Sequence, residues 1–393
     1  MKVMLCHNYY QQRGGEDQSF EDEADLLEAY GHEVIRHTVH NDALSGTSRW
    51  KMGLNTFWNP ATKRDTLDLL KGTRPDVVHC TNLFPQFSPS IYYAAEEAAV
   101  PVVQALRNYR LMCPAYNFLR AGKVCELCAT RSFAWPAVAH ACYRGSRTAS
   151  AVVAGSFTLH RLLGTWKDKV AVYFTLTEFA RQKFVAGGLP AECICVKENF
   201  VAPDTGAADG GGGYAVFVGR LTQEKGVAAM LQGWQTVKRP LALKIIGDGP
   251  LADRVRQAAQ ADPRITWLGP QPLEEVFRVV GDAEFLICPS IWYETFGRVI
   301  AEAFSKGTPV IASDLGAMAE LVQPGVNGLL FEPGNAEAIG AAAEAMMADV
   351  QRLRRMREAA RAAYDAKFTA EQNYHRLINI YRRAQKKAVA AAS

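Results

Sequence analysis

No stretch of this chain stays apolar for the roughly 18 residues that a membrane-spanning helix needs, so no transmembrane segment is expected. The start, Met1-Lys-Val-Met-Leu-Cys-His-Asn, is apolar only briefly and lacks the core and small-residue cleavage site of a secretory signal. Charge of one sign is scarce. Lys and Arg number 44 against 40 Asp and Glu, and the net +4 is far too small for a nucleic-acid-binding surface. It suits an anionic substrate or a membrane surface. No internal repeat of solenoid period is present. The first strand-to-helix turn also lacks the spaced Gly-X-Gly-X-X-Gly of a dinucleotide-binding fold, which counts against a nicotinamide-dependent oxidoreductase. Nine cysteines, an odd number without an export signal, predict a reduced, cytoplasmic setting, with the inner face of the membrane as a further candidate location.

What is present is a globular composition, 49% hydrophobic and 21% charged over 393 residues, long enough for two domains. Short apolar runs alternate with amphipathic stretches. Strands are expected at Lys2–Cys6, His32–His37, Asp76–Cys80, Pro101–Leu106, Ser150–Val153 and Ala171–Thr175, with a helix over Glu16–Gly31. The segment Pro203–Gly213 is Gly-rich and weakly apolar, and reads as a flexible connector. The alternation then restarts at Tyr214–Val218, Leu241–Ile246, Ile265–Leu268, Phe285–Pro289, Pro309–Ala312 and Gly328–Phe331. This rhythm predicts an α/β protein of two Rossmann-like domains with parallel sheets, residues 1–202 and 214–368 about the linker 203–213. The basic, Ala-rich stretch 369–393 has Tyr374, Leu377, Ile378 and Tyr381 at helical spacing and is expected to pack back toward the first domain.

Three motifs carry chemistry. Gly14-Gly15 stands between the first strand and the first helix, where glycine allows a phosphate close to the backbone and the helix start offers N–H groups; a plain βα turn explains the pair equally well. In Val218-Gly219-Arg220-Leu-Thr-Gln-Glu-Lys225-Gly226, Arg220 and Lys225 fall at the carboxyl edge of a strand, where open α/β sheets bind ligands. A forked donor and a point charge on one short loop suit a diphosphate, although a lone Arg-Lys pair would read as a solvated turn. In Ile291-Trp-Tyr-Glu294-Thr-Phe296-Gly297-Arg-Val-Ile-Ala-Glu302, Glu294 precedes a helix expected over Gly297–Lys306 and Glu302 lies inside it. Such carboxylates can accept hydrogen bonds from sugar hydroxyls. The bland alternative for Glu302 is a helix-surface charge.

Together, Gly-Arg-Leu-X-X-Glu-Lys-Gly and Glu-X7-Glu resemble motifs of the retaining glycosyltransferases of the GT-B fold, in the large family 4. Ile245-Ile-Gly-Asp-Gly-Pro-Leu251, Trp267-Leu-Gly269, Gly307-Thr-Pro-Val310 and Asn327-Gly-Leu-Leu330 extend the resemblance over most of the chain. It implies two domains facing across a cleft, the first on the acceptor side and the second binding a nucleotide sugar. It further implies that Arg220 and Lys225 neutralise the pyrophosphate, Glu302 holds the ribose, and Glu294 faces the transferred sugar. The Phe296–Gly297 backbone and Gly219 would support the diphosphate, Leu268 would touch the base, and Gly14-Gly15 would approach the donor or the acceptor. No Asp-X-Asp occurs, so no catalytic metal is expected and the two cations take its place. Related enzymes often carry a sugar-contacting histidine after the strand corresponding to Val102–Leu106; here Arg107 occupies that position, and His7 is an alternative.

Cys113, Cys125, Cys128 and Cys142 fall within thirty residues, in an insertion of about 107–147. With Cys125-Glu-Leu-Cys128 at ligand spacing they could hold a structural zinc, or they stand unligated in an irregular loop. Aromatics and cations from Tyr109 and Arg110 to Trp166 and Lys169 make peripheral membrane contact a candidate, against a plain half-buried surface. The expected activity is hexosyl transfer from a UDP- or GDP-sugar to a glycan or lipid-linked acceptor, in cell-surface polysaccharide or glycoconjugate synthesis. A sugar-nucleotide epimerase, a phosphorylase and a non-catalytic sugar-nucleotide-binding protein are the competing readings.

Overall fold

The structure is a computed structural model and describes residues 1–11, 14–44 and 48–392. The chain divides into two compact units. The first gathers Met1–Phe118, Glu126–Lys197 and Asn373–Ser393, and the second Leu119–Cys125 and Glu198–Gln372. Each is built on one six-stranded, all-parallel sheet.

In the first unit the strands are β1 (Lys2–Tyr9), β2 (Glu33–His40), β3 (Val77–Cys80), β4 (Val102–Leu106), β7 (Val172–Thr175) and β8 (Ile194–Val196). A two-stranded antiparallel hairpin, β5 (Leu119–Arg120) with β6 (Lys123–Val124), interrupts them in sequence. The order is β2-β1-β3-β4-β7-β8. Val3 to Cys6, Val77, Val78 and Val103 are buried, as the near-continuous apolar runs of a parallel sheet require. Helix α1 (Gly15–Ala29) follows β1 and presents Phe20, Ala24 and Leu27 to the core. Helices α2 (Arg49–Phe57), α3 (Trp135–Ala139) and α4 (Arg147–Leu162) form a further cluster, with α2 and α3 each packed on α4.

The strand expected at Ser150–Val153 is instead part of the first half of α4. Ser146 caps that helix by accepting the Ala149 amide (3.2 Å), and Ser150 Oγ bonds back to the Ser146 carbonyl (2.8 Å). A capping serine ahead of an Ala-rich run outweighs the two β-branched valines.

The second sheet runs β11-β10-β9-β12-β13-β14, with β9 (Tyr214–Val218), β10 (Ala242–Ile246), β11 (Ile265–Gly269), β12 (Phe285–Cys288), β13 (Val310–Ser313) and β14 (Gly328–Phe331). Its core gathers Phe217, Trp234, Leu243, Ile245, Phe285 and Ile287, all buried. The stretch 203–213 is tied down on this unit rather than loose. Lys306 Nζ donates to the Gly206 carbonyl (2.6 Å), Arg357 to that of Ala208 (2.9 Å), and the Gly212 amide to Asp282 (2.9 Å). Glycine removes side chains there, but its carbonyls still find cationic donors.

A buried charge cluster knits the first unit. Glu23 of α1, 2% exposed, pairs with Lys197 Nζ (2.5 Å) and Arg107 Nη2 (2.8 Å). Its other oxygen lies 3.9 Å from His79 Nε2, and His79 Nδ1 meets the hydroxyl of Tyr381 at 2.8 Å. Tyr381 belongs to the helix Ala370–Ala392, whose residues from Asn373 on belong to this unit. Burial alone would raise the Glu23 carboxyl, but Arg107 and then Lys197 hold it well below the usual carboxylate range. His79 is pushed down to about 4, mainly by burial and against the pull of Glu23.

That neutral imidazole has a measurable consequence. Its proton affinity is lower folded than unfolded, so its contribution is complete above pH ~6.5 and is lost as pH falls toward 4. The unfolding free energy from urea titration should fall over this window, by an amount on the order of 3 kcal/mol from this group. His79→Gln should be flatter there; an unchanged slope would assign the loss to other groups.

Candidate active site

The chain leaves β9 toward β10 and β11 on one side, then returns to β12 on the other side of β9. Such a reversal opens a crevice at the carboxyl ends of the two adjoining strands, the usual ligand position in open α/β sheets. The loop after β9 carries Arg220 and Lys225, and the loop after β12 carries Glu294.

The two loops are fastened by backbone. The Ile291 amide donates to the Glu224 carbonyl (2.9 Å). Gly226 adopts φ 70°, and a Cβ built there would stand 1.8 Å from the Pro289 carbonyl oxygen, so only glycine allows this approach. Across this seam Lys225 Nζ meets Glu294 Oε1 at 2.5 Å. Ser290 Oγ (2.8 Å) and Trp292 Nε1 (2.9 Å) donate to the same oxygen. Glu294 is buried at 7% exposure, whereas the Lys225 side chain keeps 27%. Burial works to lower the Lys225 ammonium, but Glu294 outweighs it and the net shift is upward, which keeps the cation charged.

Gly297, in the left-handed region at φ 84°, begins the helix α5 (Arg298–Ser305), with Glu302 one turn on from Arg298. Glu302 is 9% exposed and accepts from Arg298 Nε (2.9 Å). It is therefore a held, nearly buried carboxylate rather than a free surface charge. The Phe296 side chain is buried against Phe368, so only its backbone stays available to a ligand. Gly219, at the end of β9, and Gly247, after β10, touch through backbone: a Cβ on Gly247 would lie 1.9 Å from the Gly219 carbonyl. Trp267 Nε1 caps the Gly247 carbonyl (2.9 Å), next to Leu268 at the end of β11, and Gln271 takes the Leu268 carbonyl (2.6 Å). Arg220 is exposed beside this seam.

The first unit treats its expected site residues differently. Gly14 and Gly15 do stand at the start of α1, but Glu16 and Asp17 occupy the first turn and Asp17 Oδ2 accepts the Gly14 amide (2.9 Å). The helix start is already served by an anion of its own, which disfavours a phosphate there. His7 is buried, bonded to Thr81 (2.6 Å) and Asp17 (2.7 Å) and stacked on Phe20, a structural placement. Arg107 is committed to Glu23. Cys113 and Cys128 are buried and Cys125 and Cys142 half-buried. Among the described residues no group of three or more His, Cys, Asp or Glu is arranged to hold a metal ion. The four-thiolate set suggested by the spacing is not assembled.

Ser290 and Trp292, which hold Glu294, went unnoticed in the sequence, since only a fold shows two donors converging on one carboxylate oxygen. Their signal was proximity alone. Gly226→Ala should cost at least about 2 kcal/mol in urea unfolding, from positive φ and the clash with Pro289. A loss under about 0.5 kcal/mol would show that the two loops are not fastened as described.

A model of the family described as glycosyl transferases group 1 matches residues 212–349. An alpha-maltose-1-phosphate synthase of Mycolicibacterium smegmatis is 30% identical over 182 residues, 42% of this chain and 47% of that protein. The chain thus spans about half the length of the curated relatives it matches. Among solved structures, Anabaena Alr3699/HepE in complex with UDP aligns with 96% of this chain and 99% of its own, with TM-score 0.68 and 16% identity. Sucrose-phosphate synthase from Thermosynechococcus elongatus aligns with 100% of each chain, with TM-score 0.70 and 17% identity. At such identities the likeness speaks for the fold, a GT-B arrangement of two parallel-sheet domains. The match to the glycosyl transferases group 1 model thus lies within the second unit, the one that carries Arg220, Lys225, Glu294 and Glu302.

Proposed function

We propose that the protein is a retaining glycosyltransferase of family 4 that moves a hexosyl unit from a UDP- or GDP-sugar to a glycan or lipid-linked acceptor. The observation that carries this reading is the Lys225–Glu294 pair at the strand-order reversal of the second sheet. Departure of a nucleoside diphosphate builds negative charge on its oxygens, and a preorganised cation beside the leaving group stabilises it. Lys225 supplies that charge and Arg220 a forked second donor, so no metal is required. The Gly297 turn and the start of α5 offer amides to the diphosphate. Glu302 takes the ribose hydroxyls and Glu294 those of the sugar. Without donor, Glu294 holds Lys225; with donor bound, the ammonium turns to phosphate and the carboxylate is released to the sugar. Retention of configuration rests on the motif resemblance. The neighbour solved with UDP makes uridine donors the first to try.

Nucleoside diphosphate release from UDP-, GDP- and ADP-sugars in EDTA tests this directly. The wild type should release it unaffected by EDTA, and Lys225→Ala and Glu294→Ala should lose on the order of 100-fold or more. Donor binding without release under any acceptor would make the chain a sugar-nucleotide-binding protein, and strict dependence on metal would sink the assigned role of the two cations.

A lipid-linked acceptor also fits the surface of α2, α3 and α4. Trp50 (85%), Leu54 (69%), Trp135 (54%) and Leu162 (79%) are exposed there. No Asp or Glu occurs from Leu127 to Lys167, while Arg131, Arg144, Arg147, Arg161 and Lys167 do. Aromatic and aliphatic side chains among unopposed cations suit an anionic lipid interface, on the cytoplasmic face in this reading. Sedimentation with anionic vesicles at low salt should carry the protein down, and Trp50→Ser with Leu162→Ser should reduce it. Equal binding to neutral vesicles would remove the electrostatic part of the argument.

A further inference from the structure

The first unit contains a pocket that none of the donor chemistry uses. It opens at the carboxyl ends of β3 and β4, between the segments Thr81–Phe84 and Arg107–Leu111, with Phe157 and Trp166 on its wall. About 80 Å³ of it is open to the centre of a water, room for on the order of six waters.

Most of its polar lining is satisfied from within the protein. Thr81 Oγ1 bonds His7 (2.6 Å) and the Cys6 carbonyl (3.1 Å). Asn82 Nδ2 donates to the Asn8 carbonyl (2.7 Å). Gln104 donates to the Thr81 and Ala105 carbonyls and accepts from Tyr92, each at 2.7 Å. These groups form a closed network that asks nothing of a ligand.

Arg110 is the exception. It is 8% exposed, with its guanidinium carbon 4.3 Å from the Phe84 ring centre and 5.3 Å from that of Tyr116. It reaches the Tyr10 phenol, yet its Nε is buried without a hydrogen-bond partner among the described residues. No carboxylate of the described residues lies within ion-pair distance of it; Glu16 is held instead by Tyr10 (2.7 Å) and Asn108 (2.9 Å). The neighbouring wall adds to the imbalance. Arg107 and Lys197 are two cations on the single carboxylate of Glu23, and His79 beside them is neutral at ordinary pH. A buried guanidinium left without a counter-charge is costly, and the cost is offset when an anion arrives.

We propose that this pocket is an anion subsite that takes a phosphate ester carried by the acceptor, with Arg110 as its direct ligand. The guanidinium fork matches two phosphate oxygens, and the Phe84 and Tyr116 rings packed against it restrict its motion. Phe157 and Trp166 cover the apolar C–H face of the sugar that bears the phosphate. The assignment of the ligand as acceptor rests on the transferase reading; the binding itself does not.

The test is calorimetric titration of glucose, glucose 6-phosphate and inorganic phosphate into the full chain, with UDP titrated separately. Glucose 6-phosphate should bind and glucose should not. Arg110→Gln should weaken glucose 6-phosphate at least about tenfold, Arg110→Lys should fall between, and UDP affinity should stay unchanged in both. Phosphatidylinositol vesicles, offered in competition with glucose 6-phosphate, distinguish a lipid-borne phosphate from a soluble one. Equal binding of glucose and glucose 6-phosphate, absence of any phosphate binding, or full affinity in a folded Arg110→Gln would each overturn the proposal. The wild-type comparison decides even if the variants fail to fold. Loss of UDP binding by the wild type would strike the transferase reading instead and leave the subsite judged on its own titration.

Discussion

The candidate site of the second unit depends on backbone standing against backbone. Gly226 lies under the Pro289 carbonyl and Gly247 under that of Gly219, at separations that no Cβ tolerates. These contacts set the spacing between the ends of β9, β10 and β12, and that spacing puts an ammonium on one loop within 2.5 Å of a carboxylate on another. A long, flexible lysine would otherwise sample many rotamers at an entropic cost. Here its partner is itself clamped by Ser290 and Trp292, so the pair is ordered from the carboxylate outward.

The first unit solves a related problem by different means. Its central helix and three of its strand ends converge on Glu23, where two cations share one carboxylate and an aromatic ring, Phe174, backs both. Such a cluster is weak evidence of net stability, because desolvating three charges offsets much of their attraction. Its effect is positional. Arg107 is pinned at the foot of β4, and the residues after it, Asn108 to Leu111, leave the strand from a defined point.

Much of this was legible in the residues. Nine of the twelve sheet strands coincide closely with apolar runs visible in the sequence, because strands of parallel sheets are buried on both faces and hydropathy marks them directly; β1 was seen but runs on from Cys6 to Tyr9. β2 was seen but runs longer, to His40, since its later residues alternate in exposure. The short edge strand β8 was missed, being only three residues long with one of them buried. The positions of Arg220, Lys225 and Glu294 after strands, and of Glu302 inside the helix that follows, could be read from local motifs. Gly14, Arg107 and His7 could not be judged that way. Their fate is decided by Asp17, Glu23 and Thr81, from 3 to 84 residues away, and spacing within a motif carries no information about such partners.

The helix Ala370–Ala392 has a further consequence. Tyr381 bonds His79, Tyr374 stacks on Tyr30 at 3.7 Å, and Lys387 reaches the Ala171 carbonyl at 3.2 Å, so the first unit is completed by residues that follow the second. During synthesis the segment Glu198–Gln372, 175 residues long by subtraction, must emerge before that helix exists. At about 5–20 residues per second this is a wait on the order of 10–30 s. For that interval the partner of His79 is missing and the second unit can fold to completion. The order of birth on the ribosome is thus the reverse of the order of finishing.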